Sequence, residues 1–272
     1  MKNNKKTGVN EMKAIRYVEK HGNDIEILRL KRYQGFSDLE AQRILSIYQF
    51  SNGGWYYEDD ETKTLSLGAS TLWLRVLLEL ELQNTEMVNQ TVRFITGCQD
   101  EDGSWYELRE KLERSPQAWL GEDEEDNRLW FTISATVFLT ACGYYDHPAV
   151  LKARDFLLRF WDDHGRFKDN WYPYWAGIPF FARTRGTGSK AFKSCYDFAM
   201  EKVDLCNSFL LGWLLTMCRL AELPGTDNLV EATLDRLESL QRPYGAWGSK
   251  YGDSYNTLFV LNHLKHYGRI GF

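Results

Sequence analysis

The pattern Gln-x-x-x-Gly-x-Trp occurs three times in this chain: QFSNGGW at 49–55, QDEDGSW at 99–105 and QRPYGAW at 241–247. A pattern that returns with fixed internal spacing marks an internal repeat, which restricts the fold more than any single segment can. Amphipathic stretches lead into the copies: SDLEAQRILSIYQF (37–50), TEMVNQTVRFITGCQ (85–99) and TDNLVEATLDRLESLQ (226–241). A fourth, HPAVLKARDFLLRFW (147–161), leads into WDDHGRF (161–167), a degenerate copy with Trp161 at the Gln place and Phe167 at the Trp place. Each stretch is charged on one face and apolar on the other. Asp38 and Asp227 sit near helix starts, where a carboxylate suits the dipole, and Pro148 sits near a first turn.

Strongly apolar segments follow the motifs. Residues 64–82 place Leu65, Ala69, Leu72, Val76 and Leu80 at helical spacing. Residues 130–143, 207–225 and 254–268 have the same character and end at Gly143, Pro224-Gly225 and Gly268. A further unit without the motif is predicted from 171–183 and 189–200, and an N-terminal helix near 11–33 begins the series. No strand pattern is evident. Helices that are apolar all round belong inside and one-faced helices outside. Alternating them predicts an inner ring wrapped by an outer ring. An open superhelix would expose the inner helices, so closure is favoured.

The net charge of −5 argues against a nucleic-acid partner. The acid is concentrated in EDDE (58–61) and EDEED (122–126), which read as solvated loops. Five cysteines without a Cys-x-x-Cys pair argue against a disulfide framework and a zinc finger, and fit a cytoplasmic protein. The charged N-terminus leads into no apolar signal core, and FLLGWLLTM (209–217) is far shorter than a membrane span. Peripheral contact with a membrane surface stays open.

The three loops, each after an amphipathic helix, resemble the QW motifs of the squalene-cyclase and protein-prenyltransferase superfamily. The resemblance extends over roughly residues 10 to 268. It implies an all-α fold, an α/α toroid of about five or six hairpins with inner and outer helix rings around an apolar cavity. Residues 11–272 form its single domain, behind a disordered tail of residues 1–10. Gly permits a tight reversal, Trp offers a flat apolar face with one donor, and the Gln amide can satisfy loose backbone groups at a helix end. The resemblance implies that Gln49, Trp55, Gln99, Trp105, Gln241 and Trp247 pin neighbouring outer helices together.

Two branches of the superfamily imply different chemistry. A squalene-type cyclase protonates an alkene with an acid in a dry pocket and shields the cation with aromatic faces. Its Asp-x-Asp-Asp motif is absent here. The nearest text is DEED (123–126), from which Asp126 could approach the cavity mouth. Asp204 and Asp253 precede inner segments and complete the set of candidate acids. Trp73, Trp130, Phe131, Trp175, Phe209, Trp213 and Phe259 are the candidate substrate-facing aromatics, with ordinary core as the alternative. The prenyltransferase branch activates a thiol with zinc. Asp204 and Cys206 in VDLCNSF match two of its ligand positions, and DSYNT (253–257) matches the flanks of the third. Asn256 stands where the ligand His belongs, and zinc wants imidazole, thiolate or carboxylate. His263, about two turns further on, is too far to replace it.

Weaker signals remain. RTRGTGSK (183–190) is basic and Gly-containing but lacks P-loop spacing. DDETK (59–63) and DDHGR (162–166) do not complete the Asp-Asp-x-x-Asp pattern that holds magnesium. His263 and His266 are three apart but lack a third ligand. The leading expectation is a terpenoid cyclase-like enzyme taking an isoprenoid or other lipid-like small molecule, with no cofactor. The alternatives are a zinc prenyltransferase β-subunit-like protein, which needs a partner subunit, and a non-catalytic toroid binding a lipid or a protein. Zinc and magnesium stay as alternatives to the cofactor-free reading.

Overall fold

A computed structural model describes residues 8–58, 60–114, 123–161, 171–248 and 252–271, with 171–174 described by their backbone alone. Among these residues are thirteen α-helices. They are α1 (Glu11–His21), α2 (Asp24–Tyr33), α3 (Asp38–Leu45), α4 (Leu67–Glu79), α5 (Glu86–Gly97), α6 (Arg109–Arg114) and α7 (Glu124–Ala141). Then follow α8 (Pro148–Leu158), α9 (Trp171–Arg185), α10 (Lys190–Lys202), α11 (Ser208–Leu220), α12 (Asn228–Ser239) and α13 (Asp253–His266). Strand-like pairing among the described residues is limited to isolated bridges at Gln49–Trp55 and Trp55–Ser66.

Local chemistry sets the boundaries. The one helix predicted near 11–33 is two, because Asn23 starts a new helix through a capping box with Glu26. Asn10, placed in the tail by sequence, caps α1 by accepting from the Lys13 amide. Helix α7 starts earlier than its apolar run, with Asp123 as N-cap and three acids in its first turn. Asp227 caps α12, and Pro148 opens α8. The short α6 was not expected.

The chain divides into two compact units, Asp38–Phe180 and Met1–Ser37 with Phe181–Phe272. In the first, the buried helices α4 and α7 pack on each other, with α5 against α4 and α8 against α7. In the second, α11 packs on α13, which also meets α1 and α2, while α12 lies against α11.

The Gln-Gly-Trp loops make equivalent bonds in both units. Gln49 Nε2 donates to Gly53 O (3.2 Å) and, across to α5, to Met87 O (3.0 Å). Gln99 Nε2 donates to Gly103 O (3.0 Å) and to Ala149 O of α8 (2.7 Å). Gln241 Nε2 donates to Gly245 O (2.8 Å) and to Asn10 O (3.3 Å), and Gln241 Oε1 accepts from the Asn10 amide (2.7 Å). Each amide therefore satisfies its own loop and the start of a neighbouring amphipathic helix. Trp55, Trp105 and Trp247 are fully buried, and each backbone N–H donates to a hydroxyl on a later helix: Ser70 of α4, Thr132 of α7 and Thr257 of α13. The glycine is required on two counts. At Gly103, φ is +91° and a Cβ would come within 2.6 Å of Lys152 O. At Gly245, φ is +100° and a Cβ would meet Lys13 at 2.5 Å. Of the degenerate copy, only Trp161 lies within the described residues.

Candidate active site

The N-terminal end of α4 collects the most unusual chemistry in the Asp38–Phe180 unit. A helix start leaves backbone N–H groups without intrahelical partners and carries partial positive charge. Here Ser66 is the N-cap, its Oγ accepting from the Ala69 amide (3.0 Å). A remote carboxylate completes the site. Glu107 Oε1 accepts from the amides of Leu67 (2.7 Å) and Leu108 (2.9 Å), and Oε2 accepts from Ser66 Oγ (2.6 Å) and the Gly68 amide (3.3 Å). Glu107 is 5% exposed. Burial pushes its carboxyl above the ordinary glutamate value, and the bonds from Ser66, Leu108, Leu67 and Gly68 act the other way without cancelling it.

Gly68 leaves the notch in which these groups meet. A Cβ there would lie 2.3 Å from Tyr57 Oη, 2.8 Å from the Phe131 ring and 3.1 Å from Glu107 Oε2. The Phe131 ring packs edge-on against Tyr106 (5.8 Å) and Trp130 (5.0 Å), and Trp130 is half-buried. Beside the notch, Lys111 Nζ donates to Asp60 Oδ2 (2.7 Å), with both side chains essentially fully buried. Burial acts to raise the Asp60 carboxyl, but the bonds from Lys111, Thr62 and Thr64 outweigh it and hold it below the ordinary value. Asp60 therefore corrects the reading of EDDE as a solvated loop: it is a buried ion-pair partner.

The predicted residues are distributed as follows. Phe131 lies at the notch, and Trp130 packs edge-on against Phe131. Trp73 stacks on Trp55 (4.6 Å) and donates Nε1 to Tyr56 O (3.1 Å), so it is core. Trp175 is buried on α9. In the other unit, Phe209, Trp213 and Phe259 come together, with ring centroids 5.9–6.4 Å apart. Tyr255 and His263 flank Phe259, and Arg29 lies over the Tyr255 ring at 5.5 Å. Asp126 is half-buried in the first turn of α7. Asp204 is exposed in a 3-10 turn (Val203–Leu205) and does not begin α11. Asp253 begins α13, where Arg242 donates to it at 2.7 Å.

The residues at the zinc-like positions do not fit zinc. The Cys206 thiol is buried, and burial pushes it up to about 11. Asp204 is exposed. Asn256 Nδ2 is engaged by Ser208 Oγ (2.8 Å), Trp247 O (3.2 Å) and Gly248 O (3.3 Å). Among the described residues, no three His, Cys, Asp or Glu side chains are grouped to hold a metal ion. His263 is buried and His266 exposed, so they do not share a site. The RTRGTGSK loop is closed by Ser189, which caps α10, and Arg183 pairs with Glu222. DDHGR lies outside the described residues. All five cysteines are free thiols. Among the described residues, no helix is long and apolar enough to cross a membrane.

Sequence reasoning missed Glu107, Lys111, Tyr57 and Asp60. One signal was present: Tyr57 and Glu107 each stand two residues after a motif Trp, the point where the chain turns toward a buried helix.

No protein-family model matches the chain, and no curated protein sequence does. Solved structures do. The type II terpene cyclase MstE from Scytonema, without ligand, aligns with a TM-score of 0.58 at 14% identity, covering 94% of this chain and 88% of that one. A variant of MstE in complex with geranylgeranyl dihydroxybenzoate (substrate) aligns with a TM-score of 0.55 at 14% identity, covering 94% and 88%. A protein from Actinoplanes aligns with a TM-score of 0.57 at 15% identity, covering 90% and 88%. At this identity the likeness concerns the fold: the chain is all-α, of the α/α toroid class to which the type II terpene cyclases belong.

Proposed function

We propose that the chain is a terpenoid cyclase-like enzyme that takes an isoprenoid-bearing small molecule and starts its reaction by protonating an alkene. The observation that carries this reading is Glu107. It is a buried carboxyl, raised above its ordinary value, beside the Tyr57 and Phe131 rings and tied to a helix N-terminus. Such an acid meets two demands at once. Burial raises the carboxyl above its ordinary value, which favours the protonated form. Once the proton has gone to the alkene, the carboxylate left behind meets four donors already aimed at it and the positive end of α4. The alkene gains a C–H bond and becomes a carbocation, which the nearby aromatic faces stabilise. Ring closure and loss of a proton then give an isomer of the substrate. The likeness to MstE, one structure of which holds a geranylgeranyl dihydroxybenzoate, supports a prenylated ligand.

The test is incubation with geranylgeranyl dihydroxybenzoate and with prenyl alcohols of graded length, in H₂O and in D₂O, followed by mass spectrometry. The expected product is an isomer with one fewer C=C bond, carrying one deuterium from D₂O, and Glu107→Gln lowers its formation by about 10²–10⁴-fold. The rival reading makes Glu107 only a cap of α4, in a toroid that binds lipid without converting it. It predicts intact ligand adducts from wild type and Glu107→Gln alike, and no isomer from either.

A further inference from the structure

We propose that the buried Asp60–Lys111 pair is a positioning clamp for Glu107, fixing the segment that carries the acid against the N-terminal end of α4. The proposal rests on the reading of Glu107 as the acid. Helix α6 has one buried residue, and it is Lys111 rather than the neighbouring Leu112. Its other charges pair at the surface: Arg109 with Glu113 and Arg114 with Glu110. Exposed pairs of that kind hold a helix in place only weakly. The anchor of α6 is therefore the ammonium of Lys111, four residues after Glu107, bonded to Asp60 at 2.7 Å.

A buried ion pair is a poor source of stability, because apolar side chains of similar volume often serve as well. What this one supplies is registry. Asp60 lies in the segment that leads into α4 and carries Tyr57 and Ser66. That segment is itself fixed, since Asp60 also accepts from the Thr62 amide (3.0 Å), Thr62 Oγ1 (2.5 Å) and the Thr64 amide (3.1 Å). Lys111 Nζ further lies 5.4 Å from the centroid of the Tyr57 ring, whose hydroxyl shares the Gly68 notch with Glu107. One lysine thus ties together the acid, its aromatic neighbour and the helix start that receives the carboxylate.

The experiment is a ¹³C NMR titration of carboxyl-labelled glutamate, with the Glu107 signal assigned by its loss in Glu107→Gln. It compares wild type, Lys111→Met/Asp60→Asn and Lys111→Arg. In the folded double variant, the Glu107 titration is expected to move toward the ordinary glutamate value. The Leu67 and Gly68 amide signals should shift with it. Lys111→Arg, which keeps the charge, should return both toward wild type. With any substrate turned over, kcat falls while KM holds. An unchanged Glu107 titration in a folded double variant overturns the proposal. If the double variant does not fold, Asp60→Asn alone is read in the same way. Failure of every variant to fold also overturns it, because the pair would then hold the fold rather than the acid. The titration reads Glu107 without turnover, so it stands apart from the test of the acid itself.

Discussion

The starts of α4 and α13 are built by the same repeat and finished differently. Both follow a Gln-x-x-x-Gly-x-Trp loop whose buried Trp donates its backbone N–H to a hydroxyl on the helix. At α4, a serine caps the helix and a buried glutamate from another repeat closes over it. At α13, the N-cap is Gly252 with no side-chain cap, the acid Asp253 pairs with Arg242 outside, and the buried polar group is the neutral amide of Asn256. The repeat therefore supplies a scaffold, and the side chains brought to a buried helix start, from its own repeat or another, decide whether it can carry acid chemistry.

The sharpest way to break this contrast is to neutralise both acids. Glu107→Gln should lower turnover by about 10²–10⁴-fold, the usual worth of a general acid, while Asp253→Asn changes it less than tenfold. Equal losses in the same product assay would erase the distinction. The shared scaffold predicts the opposite pattern for the tryptophans. Trp105→Ala and Trp247→Ala should each cost about 3–5 kcal/mol in denaturant unfolding, because each empties a fully buried site. Gly245→Ala should cost about 1–3 kcal/mol, from its φ of +100° and the Lys13 backbone beside it. Gln99→Ala and Gln241→Ala should each cost about 1 kcal/mol, a loss visible as a lower Tm.

The smallest effect is on pH dependence, and its sign separates the two buried carboxyls of the α4 end. Glu107 is raised by burial, so its contribution to stability is fully present below the ordinary glutamate value near ~4.3 and is lost as pH rises through its folded value. Asp60 is depressed by Lys111, Thr62 and Thr64. Its contribution is present above the ordinary aspartate value and is lost as pH falls through its folded value. Unfolding curves of Glu107→Gln and Asp60→Asn across pH 3–8 should therefore lose opposite slopes.

The order of helices was legible in sequence because burial leaves a periodic trace. Residues 64–82 and 207–225 read as buried helices and contain α4 and α11. The Gln-Gly-Trp loops were legible because one geometry recurs three times. The acid site was not, for a physical reason. Asp60 stands in an acidic run, and Glu107 and Lys111 stand in YELREKLER, so both stretches look like solvated surface. Charge reads as exposed until its partner is found, and Lys111 finds Asp60 51 residues away. Asp126, Asp204 and Asp253 drew attention because they lie near the starts of apolar runs, yet two of the three face solvent or a surface arginine.

The bond between Gln241 and Asn10 spans 231 residues of chain. During synthesis, α1 emerges long before the loop that receives it, and it must wait until α12 and residues 241–247 have left the ribosome. Residues 38–180 are contiguous and need no such wait. Translation thus imposes a timetable, in which the segment bearing Glu107 is complete while the other unit still lacks α10 to α13, four of its six helices.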